Sequence, residues 1–177
     1  MKNLLDDLLD YSRSGKQEMP DTLISVADMM IVVEANLKGQ IKDNKGSLIV
    51  RNENLPSILA HKTQLMQLLQ NLVSNGMKFR GERDPIIIID CVKKNDQFVF
   101  SVKDNGIGIS KNNQEKVFEM FRRLHTREEY AGTGIGLATC KKIVSNMGGD
   151  IWVESEEGVG STFFFAVPCP AETMVLA

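Results

Sequence analysis

The sequence predicts an α+β two-layer sandwich, in which one mixed, mostly antiparallel sheet carries helices on one face. Helical patterns of apolar residues are interspersed with short strand-like runs, and successive strand-like runs are joined by tight turns. The regular alternation of strand and helix that a dinucleotide-binding fold needs is missing. With 177 residues, the chain is long enough for one ordinary domain with a sizeable core.

Composition excludes several classes of protein. A hydrophobic fraction of 42% and a charged fraction of 25% are typical of a globular domain, and a formal net charge of -2 gives no broad attraction for nucleic acid. The longest apolar runs are too short to span a bilayer, and the acidic N-terminus lacks the apolar core of a signal peptide. Three cysteines without metal-ligand spacing indicate buried or idle thiols in a reducing compartment. We therefore expect a cytoplasmic domain with no nucleic acid partner.

The N-terminal segment MKNLLDDLLDYSRSG spaces its apolar residues along one face of a helix, which stops at Gly15 before Pro20. So short a helix is marginal by itself and needs a partner surface. We interpret residues 1–19 as the end of a longer helix and residues 20–177 as the main domain.

The first half of the main domain is predicted to contain two helices with two short strands between them. The segment DTLISVADMMIVVEANL is amphipathic and has Asp21 as a candidate N-cap. GSLIVRN and NLPSILA are strand candidates, and HKTQLMQLLQNLVSNGMKF is the next helix.

The second half is predicted to contain two strand pairs and one helix. PIIIIDCVKK and QFVFSVKD pair through a turn at Asn95 and Asp96. The stretch from Asn105 to Thr133 is loop-rich with one helical turn around QEKVFEMF, and a loop of this length is often a lid. A helix from Gly134 to Met147 follows, and DIWVES and STFFFAV are the closing strands.

Two asparagines and a lysine recur on one face of the helix that contains NLVSNGMKF. Asn71 and Asn75 are one turn apart, and Lys78 follows within the next turn. Carboxamide oxygens are hard ligands that suit Mg²⁺, and a nearby lysine adds positive charge for phosphate. The alternative is a solvated polar face of an amphipathic helix, and this spacing alone favours that alternative.

The segment VKDNGIGI places a carboxylate where a strand ends. Asp104 is followed by Gly106 and Gly108, which let the chain turn sharply away. A buried carboxylate at a pocket floor can accept a hydrogen bond from the exocyclic amine of adenine, whereas the carbonyl oxygen of guanine would be repelled there. The alternative is a plain Asp-Asn-Gly turn.

A cluster of three glycines, GTGIG from Gly132 to Gly136, opens the third long helix. The cluster fails the dinucleotide-binding pattern because Leu137 stands where the last glycine should be, and no Gly-Lys-Ser/Thr follows as in a P-loop. Unpaired amides at a helix N-terminus bind phosphate, and glycine allows close approach. The position of the cluster, downstream of the asparagine–lysine group and of Asp104, supports its interpretation as a phosphate site.

Together these segments resemble the ATP-binding catalytic domain of sensor histidine kinases, within the gyrase, Hsp90, histidine kinase and MutL superfamily. QNLVSNGMKF is similar to the asparagine box of that family, DNGIGI to its first glycine box and VFEMFRRL to its phenylalanine box. GTGIGLATCKKIV is similar to its second glycine box and GVGSTFFFAVP to its closing strand. The sequence around the lid is most similar to that of phytochrome-type and PAS-linked bacterial kinases. LLDDLLDYSR resembles the end of their second dimerisation helix. The resemblance implies the Bergerat ATP-binding fold.

The resemblance also implies a role for each matching residue. Asn75 would bind Mg²⁺ with Asn71 assisting, Lys78 would contact phosphate, and Phe79 would border the nucleotide pocket. Asp104 would take the adenine amine, with Thr162 nearby. Further residues would form the pocket turn or hold the triphosphate, namely Gly106, Gly108, Ile109, Gly132, Thr133, Gly134, Ile135, Gly136 and Leu137.

The phenylalanine box would supply the lid. Phe118 and Phe121 would anchor the lid, and Arg122 or Arg123 would reach the γ-phosphate. Gly76 stands where this family usually has alanine, which should loosen the helix by roughly 1 kcal/mol without affecting the chemistry.

The function implied by the resemblance is transfer of the γ-phosphate of Mg-ATP to a histidine in a two-component phosphorelay. Hydrolysing relatives carry a glutamate where this chain has Asn71, and a carboxamide cannot act as a general base for water. The acceptor-histidine box is missing, because His61 and His125 lack its flanking residues and are expected to be surface histidines. The acceptor helix would therefore belong to an upstream dimerisation domain.

The partners implied are ATP, that acceptor helix, a response regulator receiver domain and a second copy in a homodimer. The intact kinase would be cytoplasmic or membrane-associated. Two alternatives share the boxes: a serine/threonine-directed kinase of the anti-sigma-factor type and a non-catalytic ATP-sensing module. The helix remnant LLDDLLDYSR argues against the first, and the unbroken motif residues argue against the second.

Overall fold

The computed structural model of the protein describes residues 8–9, 11–12, 22–51, 55–122, 130 and 132–170. From residue 22 onward, the described residues form the helices α1, Val26–Asp43, α2, Lys62–Lys78, and α3, Gly136–Asn146. The strands are β1, Thr22–Ser25, β2, Ser47–Val50, β3, Ser57–Ala60, β4, Ile86–Lys94, β5, Gln97–Asp104, β6, Asp150–Glu156, and β7, Gly160–Pro168. Single-turn 3₁₀ helices at Lys111–Asn113 and Lys116–Phe118 lie in the long loop after β5.

The main sheet has five strands in the order β2-β4-β5-β7-β6. Only the β2–β4 pair is parallel, and the other three pairs are antiparallel. The mixed, mostly antiparallel sheet expected from the sequence is therefore confirmed. A separate antiparallel pair, β1 with β3, was not expected as a sheet of its own.

The core lies between the sheet and the helices. Alternate residues of β4, Ile87, Ile89 and Cys91, are buried, and Phe100 of β5 stacks on Phe165 of β7 with ring centroids 4.7 Å apart. Helix α2 covers this layer with a buried apolar side that includes Leu65, Leu68, Leu69 and Leu72. Each such leucine contributes about 1.5–3 kcal/mol relative to an exposed one. This packing fixes α2 over the sheet, so its remaining face borders the site described below.

Two element boundaries differ from the sequence prediction. Helix α1 begins at Val26, where the Ser25 hydroxyl accepts a hydrogen bond from the Asp28 amide at 3.2 Å. The predicted N-cap, Asp21, lies outside the described residues, and the residues after it pair with β3 as a strand instead. Pairing with a strand distant in sequence overrides the local helical pattern. Helix α3 begins at Gly136 rather than Gly134, because Gly134 has a φ of 76°, outside the helical range.

The N-terminal segment is described at four positions, Leu8, Leu9, Tyr11 and Ser12, which are helical. The Lys142 ammonium of α3 donates to the Tyr11 carbonyl at 2.8 Å and lies 4.2 Å from the centre of its ring. Most of the predicted first helix lies outside the described residues, and the division at residue 19 stays a prediction. No helix among the described residues is long and apolar enough to cross a membrane.

The cysteines have no evident chemistry. Cys91 and Cys140 are buried thiols that form no disulfide, and burial raises the pKa of each to about 12. Such thiols are protonated and unreactive at neutral pH. Cys140 belongs to the buried side of α3.

Candidate functional site

The carboxylate of Asp104 lies at the end of β5, is 8% exposed, and is held by backbone amides. Its Oδ1 accepts hydrogen bonds from the Gly106 amide at 2.8 Å and the Ser161 amide at 3.2 Å. No described residue donates a hydrogen bond to Oδ2. Burial raises the pKa of Asp104 above its ordinary value, although the two backbone hydrogen bonds act in the opposite direction. Oδ1 is thus held by the backbone, while Oδ2 can still accept a hydrogen bond.

The glycines after Asp104 are required by close packing. A Cβ on Gly106 would come within 2.3 Å of the Phe79 carbonyl oxygen. Gly108 has a φ of 74°, and a Cβ there would come within 2.0 Å of the Glu156 carbonyl oxygen. The turn therefore lies directly against the end of α2 and against the β6–β7 turn. The next residue, Ile109, donates its amide to the Ser155 hydroxyl at 2.7 Å.

Ser161, rather than Thr162, contacts Asp104. In β7, Ser161 and Phe163 are buried, and Thr162 between them pairs with the exposed residues Lys103 and Glu154. Because side chains alternate along a strand, Thr162 projects from the opposite face of the sheet. The expectation that Thr162 lies near the carboxylate is wrong, and the strand register is the reason.

The polar face of α2 borders the start of α3. Asn71 donates its side-chain Nδ2 to the Gly136 carbonyl at 3.4 Å, which leaves its Oδ1 as an acceptor. Asn75 lies one turn further along the same face, and its side chain makes no hydrogen bond to the described residues. Lys78 follows, and its Nζ would lie only 2.5 Å from a Cβ on Gly132. The structure therefore brings Asn71 and Lys78 to the glycine cluster, and Asn75 lies between them on α2.

The glycine cluster leads into α3 with its backbone exposed to this polar face. Gly132 and Gly134 have φ values of 154° and 76°, which L-residues with side chains rarely adopt. The first intrahelical bond runs from the Thr139 amide to the Ile135 carbonyl, and no side chain caps this end of the helix. The amides of the first turn, including those of Gly136 and Leu137, therefore have no partners within the helix. Thr133 lies within the cluster and is half-buried.

An aromatic pair lies at the C-terminal end of α2. Phe79 packs against Tyr130 with ring centroids 5.1 Å apart, and the Tyr130 hydroxyl donates to the Arg80 carbonyl at 3.1 Å. The Lys78 ammonium lies 4.4 Å from the centre of the Phe79 ring. Phe79 therefore lies beside the lysine, and its place at the border of a nucleotide pocket stays a prediction. The sequence carried no signal for the contacts of Tyr130.

The two predicted lid phenylalanines differ. Phe118 is buried and meets Phe163 edge to face with centroids 6.4 Å apart, so it anchors the segment. Phe121 is 56% exposed and has a φ of 60°, so it does not anchor the lid. Arg122 is exposed, and its amide donates to the Glu119 carbonyl at 3.3 Å. Arg123 and His125 lie outside the described residues.

Among the described residues, no three side chains of His, Cys, Asp or Glu are grouped to hold a metal ion. A divalent cation here would depend on oxygen ligands from carboxamides and phosphates, which suits Mg²⁺. The donor set of Asn71 and Asn75 fits this requirement, since each presents an oxygen without a protein donor.

Comparison with known proteins agrees with this geometry. Residues 60–171 match the family model described as histidine kinase-, DNA gyrase B-, and HSP90-like ATPase. The chain is 44% identical over 168 residues to the phytochrome-like protein Cph1 of Synechocystis, an alignment covering 95% of this chain and 22% of that protein. This chain thus corresponds to a minor part of that relative.

Two solved structures share the fold over nearly the whole chain. Full-length ShkA in complex with AMPPNP has a TM-score of 0.77 at 28% identity, covering 93% of this chain and 35% of that chain. The histidine kinase ThkA in complex with the response regulator TrrA has a TM-score of 0.75 at 26% identity, covering 96% of this chain and 47% of that chain.

Proposed function

Because the chain belongs to the histidine kinase-, DNA gyrase B-, and HSP90-like ATPase family, we propose that it is the catalytic part of a sensor histidine kinase. It binds Mg-ATP in the cleft between α2 and the Gly132–Gly136 loop. It presents the γ-phosphate to a histidine on a helix outside this chain. Supporting this, the solved structure of ShkA contains the ATP analogue AMPPNP.

The observation that carries the proposal is the half-satisfied carboxylate of Asp104. Its Oδ1 is held by two backbone amides, and its Oδ2 has no donor among the described residues. An acceptor left without a protein donor in this way favours a ligand that brings an N–H group, such as the exocyclic amine of adenine. A guanine would present a carbonyl oxygen there and leave two acceptors facing each other. The pocket is therefore suited to adenine nucleotides.

The opposite end of the cleft suits a triphosphate. The amides at the start of α3 and the glycine cluster offer donors, and the helix dipole adds favourable potential for an anion. Lys78 brings a positive charge to Gly132 in the same region. Asn71 and Asn75 would hold Mg²⁺, which when bound neutralises charge on the phosphate oxygens. Phosphoryl transfer depends mainly on such positioning and charge neutralisation.

The residues around the proposed phosphate site support transfer to histidine rather than to water. Asn71 occupies the position of the water-activating glutamate in hydrolysing relatives, and its side chain bonds to Gly136. A carboxamide cannot take a proton from water, whereas a neutral imidazole is already a competent nucleophile. A response regulator would receive the phosphoryl group next, in line with the ThkA–TrrA complex. A homodimer formed through the upstream helix is part of the same proposal.

The test has two stages. Calorimetric titration of the chain with Mg-ATP and with adenosine should show binding of both. Lys78→Ala should weaken the affinity for ATP and leave the affinity for adenosine unchanged. A dimerisation domain that contains the acceptor histidine is then added with γ-labelled ATP. Acid-labile label on that histidine supports the proposal. Acid-stable label on serine or threonine would support a kinase of the anti-sigma-factor type, and binding without transfer would support an ATP-sensing module.

A further inference from the structure

Arg83 lies in the loop between α2 and β4, outside the cleft, and joins two loops that lead to Asp104. Its Nη2 donates to the carbonyl oxygen of Asn105 at 3.0 Å. The same nitrogen lies 3.2 Å from the Gly158 carbonyl oxygen and 3.4 Å from that of Val159. Asn105 begins the turn that contains Gly106 and Gly108, called the glycine turn below, and Gly158 and Val159 lie in the β6–β7 turn. One guanidinium therefore bridges both turns.

The two amides that hold the carboxylate lie in or next to these two turns. Gly106 follows Asn105 directly, and Ser161 lies just beyond Val159. The turns are joined again by the Gly158 amide, which donates to the Ile107 carbonyl at 2.7 Å. A shift of either turn would change the geometry of both hydrogen bonds to Oδ1.

The loop that carries Arg83 is itself fastened to the glycine turn. The side chain of Asn105 accepts from the Ile86 amide at 2.8 Å and donates to the Asp84 carbonyl at 3.0 Å. The arginine thus reaches its carbonyl partners from an anchored backbone. A guanidinium is permanently charged and carries several N–H donors, so it can serve a group of carbonyls that a neutral side chain would leave unsatisfied.

We propose that Arg83 is a positioning residue for base recognition: it clamps the glycine turn to the β6–β7 turn so that Asp104 Oδ2 faces the purine amine. The proposal rests on the proposed function, because the base is recognised in the same pocket. Arg83 does not touch the nucleotide. Without the clamp, the turns separate, the bonds from Gly106 and Ser161 lengthen, and the carboxylate rotates away from the base.

The test compares Arg83→Ala with Arg51→Ala, which removes the same side chain at a distant site. The Arg51 side chain is exposed and makes no hydrogen bond to the described residues. Affinities for ATP, GTP and adenosine are measured by calorimetry and competition. Adenosine is the informative ligand because it is uncharged, so loss of the arginine charge alone leaves its affinity unchanged.

Arg83→Ala should lower the affinities for ATP and adenosine by the same factor. That factor is about fivefold, which corresponds to the net contribution of one hydrogen bond. The preference for ATP over GTP should narrow, and the Gly106 and Ser161 amide proton resonances should move upfield as their bonds lengthen. Arg51→Ala should leave all of these unchanged. Should Arg83→Ala not fold, Arg83→Gln is measured instead, with changes in the same direction.

Equal adenosine affinity and unchanged amide resonances in the folded Arg83 variant would overturn the role of Arg83 while leaving the proposed function intact. A wild-type chain that binds neither ATP nor adenosine would instead overturn the proposed function. The amide resonances would then still show whether Arg83 holds the two turns together.

Discussion

Gly76 in the last turn of α2 lies directly against Ile87 of β4. A Cβ atom on residue 76 would come within 2.4 Å of Ile87 Cδ1 and 3.2 Å of Asp104 Cβ. Ile87 is fully buried, so it has little room to move aside. By sequence alone, this glycine only weakens the helix. The structure adds that it lets α2 approach the sheet beside the carboxylate.

The first prediction compares two glycine-to-alanine substitutions in helices. Gly39 in α1 is exposed with nothing within 4 Å of an added Cβ, so Gly39→Ala should stabilise the chain by about 0.5–1 kcal/mol. Gly76→Ala gains the same propensity but overpacks the core, which costs about 1–3 kcal/mol. Urea denaturation should therefore give a lower free energy of unfolding for Gly76→Ala than for wild type.

The double variant Gly76→Ala/Ile87→Val tests the cause. Valine lacks the Cδ1 atom that the new methyl would meet, so the double variant should lose less stability than the two single effects added together. Equal stabilisation by Gly76→Ala and Gly39→Ala would contradict the packing argument.

The second prediction concerns recognition by Asp104. Asp104→Asn keeps an oxygen that accepts from the Gly106 and Ser161 amides but replaces Oδ2 with an NH₂ group. This group is a donor and would face the adenine amine, which is also a donor, so neither would be satisfied. We expect the Kd for ATP to rise by about tenfold or more and the Kd for GTP to rise by a smaller factor. Calorimetry with both nucleotides measures this. An unchanged ratio of the two affinities would place the base elsewhere.

The third prediction concerns stability and pH. Burial raises the pKa of Asp104 in the folded chain above its value in the unfolded chain. Between these two pKa values the folded state holds more protons, so the free energy of unfolding falls as pH rises. Above the raised pKa, the buried charge remains a cost that Asp104→Asn removes.

The Tm of Asp104→Asn should therefore exceed that of wild type above the raised pKa. The difference should shrink as pH falls through that pKa, because the wild-type carboxyl becomes neutral. Thermal denaturation across a pH series checks this. A Tm difference that is independent of pH would show that desolvation of the carboxylate is not its source.

The fourth prediction concerns the start of α2. His61 has the extended backbone of an N-cap, but its side chain makes no capping hydrogen bond, and its buried Nδ1 has no hydrogen-bond partner among the described residues. His61→Asp should supply an acceptor for the first-turn amides and stabilise the chain by about 1 kcal/mol. For a domain of this size, the Tm should rise by about 2–4 °C. His61→Ala is the control, and an equal gain in that variant would exclude capping as the cause.

Sequence reasoning was strongest where the signal is local. Hydrophobic periodicity located α2, β4, β5 and the two closing strands, because burial of one face imposes a repeat that can be read along the chain. The polar spacing of Asn71, Asn75 and Lys78 followed from helix geometry in the same way. The approach of Asn71 and Lys78 to the glycine cluster agrees with the order of the family motifs.

The sequence by itself determined the fold class, the order of the elements and the family, since these depend on residue patterns within each segment. Only the tertiary structure decided that Ser161 rather than Thr162 contacts Asp104, that Phe121 is exposed, and that Arg83 joins two turns. The direction of a strand side chain depends on register with a partner strand, and the carbonyls around Arg83 come from loops far apart in the chain. Such contacts arise only when distant segments pack, so no local pattern encodes them.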